Sequence, residues 1–246
     1  MKAFTEFEGR HGFLSELDRE HPTHLSAWTR GLTLWSRLPN ALSDVNCSTH
    51  FGYVNGREDV ILVACGQEWR VPHGYVFAAP GTISLRGSSG VLITREDYKG
   101  VFSITGPVEQ EGRLRYIDGC TDSLLIPPVM FGDPCLNLLY FPPGINQTAH
   151  THPSDRVGMI LSGEGVCHAW NDGVEDRINL TPGVIFCIHA GGKHKFSTDN
   201  RHLRVLAYHP ESDFGPQHDE HPMLNRTIVD GVSARELPGI QTKAPD

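Results

Sequence analysis

Residues 144–163 read GINQTAHTHPSDRVGMILSG and place two histidines, His150 and His152, on either side of one threonine. In a β-strand, side chains two positions apart project from the same face, about 7 Å apart along the strand. Two imidazoles on one face can bind the same ion, because a neutral histidine nitrogen ligates zinc or iron at about 2.0–2.1 Å. Two ligands hold an ion poorly, so a metal site here requires a third ligand from elsewhere in the chain.

The chain after this pair reads as a series of short strands. Turn signals rich in glycine, asparagine, aspartate and proline break it every 8–12 residues or so. This spacing favours an antiparallel barrel or sandwich over a parallel α/β arrangement. A strand that opens at His194 makes that residue the natural third ligand. The other predicted strands are 157–161, 165–170, 174–180, 184–189 and 202–208.

The histidine pair and its flanking glycines resemble the first sequence motif of the cupin superfamily, G-x5-H-x-H-x3–4-E-x6-G. Gly144, His150, His152 and Gly163 fall on the glycine and histidine positions of that motif. The position of its glutamate, normally a fourth metal ligand, is occupied by Arg156. The first motif is therefore matched at both histidines and departs at the carboxylate.

The second cupin motif, G-x5-P-x-G-x2-H-x3-N, is matched in register by Gly183, Gly191 and His194. Agreement of both motifs implies an all-β chain with a double-stranded β-helix barrel. The resemblance also implies a divalent transition metal held by His150, His152 and His194. Because cupins commonly pair through their sheets, it implies a homodimer as well.

Three departures from the motifs bear on the chemistry. Arg156 replaces the glutamate, His189 replaces the proline, and Thr198 replaces the asparagine. Loss of the anionic ligand leaves a three-histidine centre with open positions and a permanent cation nearby. Iron(II) is the first expectation for this centre, and zinc, manganese, nickel and copper stay open, since three imidazoles do not select one metal.

Arg156 has two interpretations. If it points into the barrel, its guanidinium can bind a substrate carboxylate through two parallel hydrogen bonds. It can instead turn outward and pair with Asp155 or Glu164 at the barrel rim. A bulge in the strand is a further alternative, because it would turn the Asp155 carboxylate toward the metal in place of the missing glutamate.

Other polar residues are candidates for the cavity. His189 lies at the end of an apolar run and is either a general base, a hydrogen-bond partner of the site, or a histidine satisfied at a turn. Of Tyr208 and His209 only one can face inward, and we expect His209. Gln147 is expected at a turn or strand edge, and His168 is expected to be exposed.

Outside the motifs, residues 1–45 are predicted to form an N-terminal helical segment. Leu25, Trp28, Leu32 and Trp35 recur there at helical spacing, which is typical of an amphipathic helix packed on a neighbouring element.

The rest of the chain divides into two β regions and a tail. Residues 46–120 read as short strands with only His50 and His73 as imidazoles, and they resemble a degenerate first cupin without a metal site. Residues 121–235 form the predicted metal-binding barrel, and 236–246 a flexible tail. The chain is thus expected to be a two-cupin protein.

Composition limits the partners and the compartment. A net charge of −8 without a basic block argues against nucleic acid and against an anionic membrane surface. No apolar run approaches the about 18 residues of a membrane span. The six cysteines form no Cys-x-x-Cys pair and the amino terminus lacks a signal-peptide pattern, so we expect a reduced, cytoplasmic protein.

These observations lead to three functional hypotheses. The first is an Fe(II) dioxygenase acting on a small carboxylate or chelating substrate, with Arg156 as anchor and His189 or His209 as proton carrier. The ligand set is similar to that of cysteine dioxygenase and the acetylacetone-cleaving dioxygenase. The second is a non-oxidative isomerase, lyase or hydrolase that uses zinc, manganese or nickel. The third is a non-catalytic, ligand-sensing cupin.

Overall fold

The computed structural model describes residues 1–7, 12–13, 23–28, 31–34, 48–218 and 221–242. Almost all of its regular structure is β. The strands are β1 (Phe4–Phe7), β2 (Gly12–Phe13), β3 (Thr23–Trp28), β4 (Gly31–Leu34), β5 (Thr49–Val54), β6 (Val60–Ala64), β7 (Gln67–Val71), β8 (Val76–Pro80), β9 (Ser84–Gly87), β10 (Gly90–Arg95), β11 (Ser103–Thr105), β12 (Leu114–Arg115), β13 (Thr121–Ile126), β14 (Cys135–Phe141), β15 (Arg156–Gly163), β16 (Gly165–Asn171), β17 (Val174–Leu180), β18 (Ile185–Ile188), β19 (His194–Ser197), β20 (Leu203–His209), β21 (Ile228–Val229) and β22 (Val232–Ser233).

Helical structure in these ranges is short. One α-helix, α1, spans Pro222–Arg226, and a single 3-10 turn spans Ala234–Glu236. Within the described ranges, no helix has the length and apolar character needed to cross a membrane.

Most of the strands form two pairs of stacked antiparallel sheets, and β21 and β22 form a separate two-stranded sheet. The first half of the molecule consists of strands β2 to β11. Its six-stranded sheet has the order β11-β8-β5-β10-β3-β2, and its four-stranded sheet has the order β4-β9-β6-β7. In the second half, a seven-stranded sheet has the order β1-β18-β15-β20-β14-β13-β12, and a three-stranded sheet the order β17-β16-β19. The strand β1 therefore belongs to the second half, where Phe4 pairs with Ile188.

Three apolar clusters hold these layers together. One lies inside each half, and the third lies between the two large sheets, where the Phe51 and Tyr208 rings approach to 5.2 Å between centroids. Strand β20 contributes to two of them, because Val205 packs inside the second half while Leu206 packs between the sheets. The alternation of side chains along a strand thus separates the interior of the second half from the interface.

The two halves repeat one local arrangement. In each, a glycine of a central strand lies under the phenylalanine ring of its neighbour: Gly52 under Phe77, and Gly158 under Phe186. A Cβ atom at Gly52 would lie 2.1 Å from Phe77 Cζ, and one at Gly158 2.3 Å from Phe186 Cζ. The neighbouring strands also follow the same order, β8-β5-β10-β3 in one half and β18-β15-β20-β14 in the other.

The prediction of an N-terminal helix is wrong for the residues that the structure describes. Leu25 and Trp28 lie in strand β3, and Leu32 lies in strand β4, while Trp35 lies outside the described residues. Strand β3 pairs with β10, which places Leu25 opposite Ile93. Pairing with a strand distant in sequence decides the conformation of this segment. The local spacing of apolar residues carries no information about that pairing.

Candidate metal centre

The three predicted ligands come together at one end of the second half. His194 is the first residue of β19, as predicted, but His150 and His152 precede β15 instead of lying in a regular strand. His150 is held by a single bridge to His194, in which each backbone N–H donates to the other residue's carbonyl at 2.9 Å. The ring centroids are 4.6 Å apart for His150 and His194, 4.9 Å for His150 and His152, and 5.2 Å for His152 and His194.

Backbone carbonyls orient two of the three rings. His150 Nδ1 lies 2.8 Å from the Thr148 carbonyl oxygen, and His194 Nδ1 lies 3.0 Å from that of Gly192. A carbonyl only accepts, so both Nδ1 atoms carry a hydrogen, and in the neutral tautomer of each ring Nε2 is the atom with a lone pair for a metal. One ligand nitrogen from each of the three histidines lies within 4.8 Å of the others. This donor set fits a divalent transition metal.

Two of these histidines are held in the neutral form that a metal requires. Burial, the positive charge of Arg156 and the other two histidines lower the pKa of His152 from 6.5 to about 3. Burial lowers the pKa of His194 to about 4, although the hydrogen bond to Gly192 acts in the opposite direction. Protons therefore do not compete with a metal for these two rings near neutral pH.

The turn at 190–192 connects the two histidine-bearing segments. Gly191 adopts a φ of 69° and donates its N–H to the His152 carbonyl at 2.8 Å, while Gly192 supplies the carbonyl for His194. Asp155 Oδ1 accepts a hydrogen bond from Ala190 N at 2.8 Å. The Asp155 carboxylate therefore fixes the turn and is not a member of the histidine cluster, contrary to the alternative that it replaces the missing glutamate.

A cavity of about 250 Å³ adjoins the three histidines. Its walls are largely apolar and include the rings of Phe141, Phe186 and Phe196. The polar and charged residues that line it are Arg115, Tyr116, Asp122, Asn137, Gln147, His150, His152, Arg156, His194 and His209. An ion bound by the histidines would thus face a small chamber whose wall surface is mostly apolar.

Arg156 lines this cavity and has no ion-pair partner among the described residues. Its Nη1 donates to the backbone carbonyls of Ser154 and Asp155 at 3.1 and 3.0 Å, and its Nε is buried without a hydrogen-bond partner in the same residue set. Glu164, expected as a partner of Arg156 at the barrel rim, pairs instead with Arg201 at 2.7 Å. Burial lowers the pKa of Arg156, which nevertheless stays cationic at neutral pH.

His209 also lines the cavity, while its neighbour Tyr208 packs between the two large sheets. Burial lowers the pKa of His209 well below 6.5, and Arg156 and His152 act in the same direction. The ring is therefore neutral near pH 7, with a nitrogen that can accept a proton.

The structure does not bring His189 to the cavity. Its Nε2 lies 2.8 Å from Thr5 Oγ1, and its Nδ1 lies 3.9 Å from Cys187 Sγ. Cys187 belongs to the cluster between the large sheets, so this group lies on the face of β18 opposite to Ile188, which lines the cavity. His189, Cys187 and Asp155 form a separate group behind the three histidines.

Gln147 lies beside the edge strand β19 and also lines the cavity, while the expectation that His168 is exposed is wrong. Gln147 is 2% exposed and lines the cavity, where its backbone N–H and its Oε1 bond the backbone of Phe196 at 3.0 and 3.3 Å. His168 is buried, with Nδ1 at 2.7 Å from Glu175 Oε1 and Nε2 at 3.0 Å from Ser197 Oγ. It therefore joins the strands of the small sheet.

Asn137 and Asp122 are site residues that sequence reasoning missed. Asn137 lies in the apolar strand β14, between Leu136 and Leu138, which both pack between the large sheets. One polar residue whose two neighbours face the interface must itself face the opposite side. That alternation was the available signal for Asn137.

No family model matches the sequence, and no curated protein matches it. Solved structures match in fold. A putative glyoxylate induced protein from Pseudomonas aeruginosa is 16% identical, with 88% of this chain and 83% of that chain covered and a TM-score of 0.61. A cupin 2 conserved barrel domain protein from Leptotrichia buccalis is 14% identical, with 76% and 82% covered and a TM-score of 0.53.

Salicylate 1,2-dioxygenase from Pseudoaminobacter salicylatoxidans, in a structure with gentisate, is 9% identical, with 77% of this chain and 68% of that chain covered and a TM-score of 0.53. At such identities the similarity concerns the fold. The chain has the cupin fold that its sequence motifs predicted.

Proposed function

We propose that this chain is a metal-dependent cupin enzyme, most specifically an Fe(II) dioxygenase acting on a small carboxylate or chelating substrate. The observation that carries the proposal is the shared cavity: the three candidate histidine ligands line the same chamber of about 250 Å³ as Arg156, which has no ion-pair partner among the described residues. The salicylate dioxygenase with the same fold acts on a small carboxylate, which makes this chemistry a reasonable expectation for the site.

Iron(II) at the three histidines would supply a positive centre with open positions for an anionic substrate and dioxygen. The role of Arg156 in this scheme is to bind the substrate carboxylate through a terminal nitrogen and Nε, for which the described ranges supply no partner. The low-dielectric wall strengthens this pair. The apolar walls keep water away from the reacting groups. The first half of the chain is proposed to be a degenerate cupin, in agreement with its repeated strand order and glycine–phenylalanine pairs.

His209 is the proposed proton carrier of the cavity. A neutral ring nitrogen can accept a proton from a substrate hydroxyl and return it later. Arg156 and burial both oppose lasting protonation of this ring, so the proton is released readily.

Oxygen uptake by iron-loaded protein over a panel of small acids and diketones tests the proposal. We expect uptake with at least one carboxylate, its loss in Arg156→Gln, and retention in Arg201→Gln, which removes an exposed arginine paired with Glu164 outside the cavity. Uptake with no compound would contradict the dioxygenase. Natural zinc, manganese or nickel content with turnover of the same acids would instead support the non-oxidative alternative.

A further inference from the structure

In the described part of the chain, one side-chain hydrogen bond orients Asn137 in the cavity. Its Nδ2 donates to Asp122 Oδ2 at 2.9 Å, across from β14 to the neighbouring strand β13. A carboxylate oxygen accepts and the amide oxygen cannot donate, so this contact fixes which end of the amide faces Asp122. The amide oxygen, Oδ1, is the end left over.

The described residues supply no donor to that oxygen. Asn137 is 6% exposed, and its Oδ1 is a buried atom without a hydrogen-bond partner within the described part of the chain. Buried polar atoms are almost always paired, because an unpaired one loses its hydration without replacement. An unpaired acceptor in the wall of a binding cavity is therefore a place where a ligand donor fits.

The cavity has a complementary unpaired donor as well. Arg156 Nε is buried without a partner in the same residue set, and Arg156 and Asn137 both line the chamber beside the three histidines. Between them the walls are mainly aliphatic and aromatic. Within the described part of the chain, the polar lining of the cavity thus includes one cationic donor and one neutral acceptor that are buried without partners.

We propose that Asn137 is a specificity-determining residue that selects acids with a second hydrogen-bond donor, a hydroxyl or amino group separate from the metal-binding atoms. This inference rests on the proposed function, in which Arg156 binds the carboxylate. The donor of the substrate completes the hydrogen bonding of Asn137 Oδ1. An acid without that donor leaves the oxygen buried and unpaired, so the site discriminates against it.

Matched pairs of acids test the proposal by calorimetry on zinc-loaded protein, where binding is measured without turnover. The probes are benzoate, 2-, 3- and 4-hydroxybenzoate and 3-aminobenzoate. We expect at least one substituted acid to bind about tenfold or more tightly than benzoate. In Asn137→Leu, which has a similar volume, that ratio falls to about one while benzoate binding is kept or improved.

Two further variants make the outcome specific. Arg156→Gln weakens all the acids by a similar factor and leaves the ratio intact, since it removes the carboxylate anchor. Asp122→Asn allows the Asn137 amide group to rotate by half a turn, so the affinity ratio of the substituted acid to benzoate falls although Asn137 is still present. This variant tests the proposal if Asn137→Leu fails to fold.

The results separate the inference from its premise. Binding of all the acids with equal affinity, or a ratio unchanged in Asn137→Leu and Asp122→Asn, overturns the role of Asn137 and leaves the proposed acid-binding site standing. Absence of binding by every acid overturns both.

Discussion

His150 and His194 exchange two backbone hydrogen bonds of 2.9 Å, so the segment before β15 and the start of β19 are joined at the ligands themselves. The contact uses main-chain atoms only. The relative position of the two residues therefore does not depend on a bound metal or on either imidazole.

We expect His150→Ala and His194→Ala to lose metal and keep the fold. Each variant removes one of three ligands while the backbone bridge stays in place, so bound metal falls from about one ion per chain to a small fraction of that. Elemental analysis of natively expressed protein with circular dichroism checks both points. His73→Ala, a change at an exposed histidine of the first half, is the matched control and retains full metal content. Metal retained by both ligand variants would exclude the proposed centre.

Asp155→Ala is expected to weaken metal binding although Asp155 is not a ligand. Its carboxylate accepts a hydrogen bond from the Ala190 N–H. The next residue, Gly191, donates to the His152 carbonyl, and the carbonyl of Gly192 accepts from the His194 ring. Loss of a group that orients metal ligands costs about 10–100-fold in affinity. Competition with a chromophoric chelator measures the change, and Asp155→Asn, which keeps one acceptor oxygen, should lose less. Equal affinity in wild type and Asp155→Ala would contradict this account of the turn.

The glycine under Phe186 predicts a steric effect at the cavity wall. A methyl group at Gly158 would lie 2.3 Å from Phe186 Cζ, so the ring must move. Gly158→Ala should lower the free energy of unfolding by about 1–3 kcal/mol, as overpacking does elsewhere. The double variant with Phe186→Leu should recover part of that loss in urea titrations. An additive double variant would show that the two positions do not interact.

His50 predicts a pH dependence of stability in the first half. It is fully buried, its Nε2 donates to the Gly81 carbonyl at 2.8 Å, and its Nδ1 accepts from Thr94 Oγ1 at 2.8 Å. Burial lowers its pKa to about 4, against 6.5 in the unfolded chain. Below pH 6.5 the unfolded chain binds a proton that the folded chain does not, so stability falls as the pH falls from 6.5 to 4.

The full effect of His50 over this window is about 3 kcal/mol. Urea titrations of the metal-free proteins give the unfolding free energy at pH 6.5 and at pH 4. We expect the loss between these two pH values to be smaller in His50→Gln than in wild type, by up to that amount. The same difference in variant and wild type would show that His50 does not contribute.

Strand positions were predictable where turn residues bound them on both sides. Strand β17, Val174–Leu180, has the bounds expected from the turns at Asp172 and Gly173 before it and Pro182 and Gly183 after it. Asp172 and Gly173 both adopt positive φ, which confirms the conformational reason for the turn. The two cupin motifs then located the three histidines of the candidate site.

Contacts between residues distant in sequence were not predictable in the same way. Leu25 lies in a strand because β10 pairs with it, and His168 is buried because Glu175 and Ser197 lie on the two flanking strands. The Asn137 acceptor depends on which end of its amide meets Asp122. No local pattern contains these pairings, which arise only when the sheets assemble.

The pairing of β1 with β18 limits when strand β1 can join its sheet during synthesis. Ile188, the partner of Phe4, leaves the ribosome only about 10–40 s after Phe4 at typical elongation rates of about 5–20 residues per second. Until then strand β1, which carries Phe4 and Phe7, has no β18 to pair with. The emerging chain is therefore exposed to wrong pairing during this interval, and a chaperone that shields β1 should raise the yield of folded protein.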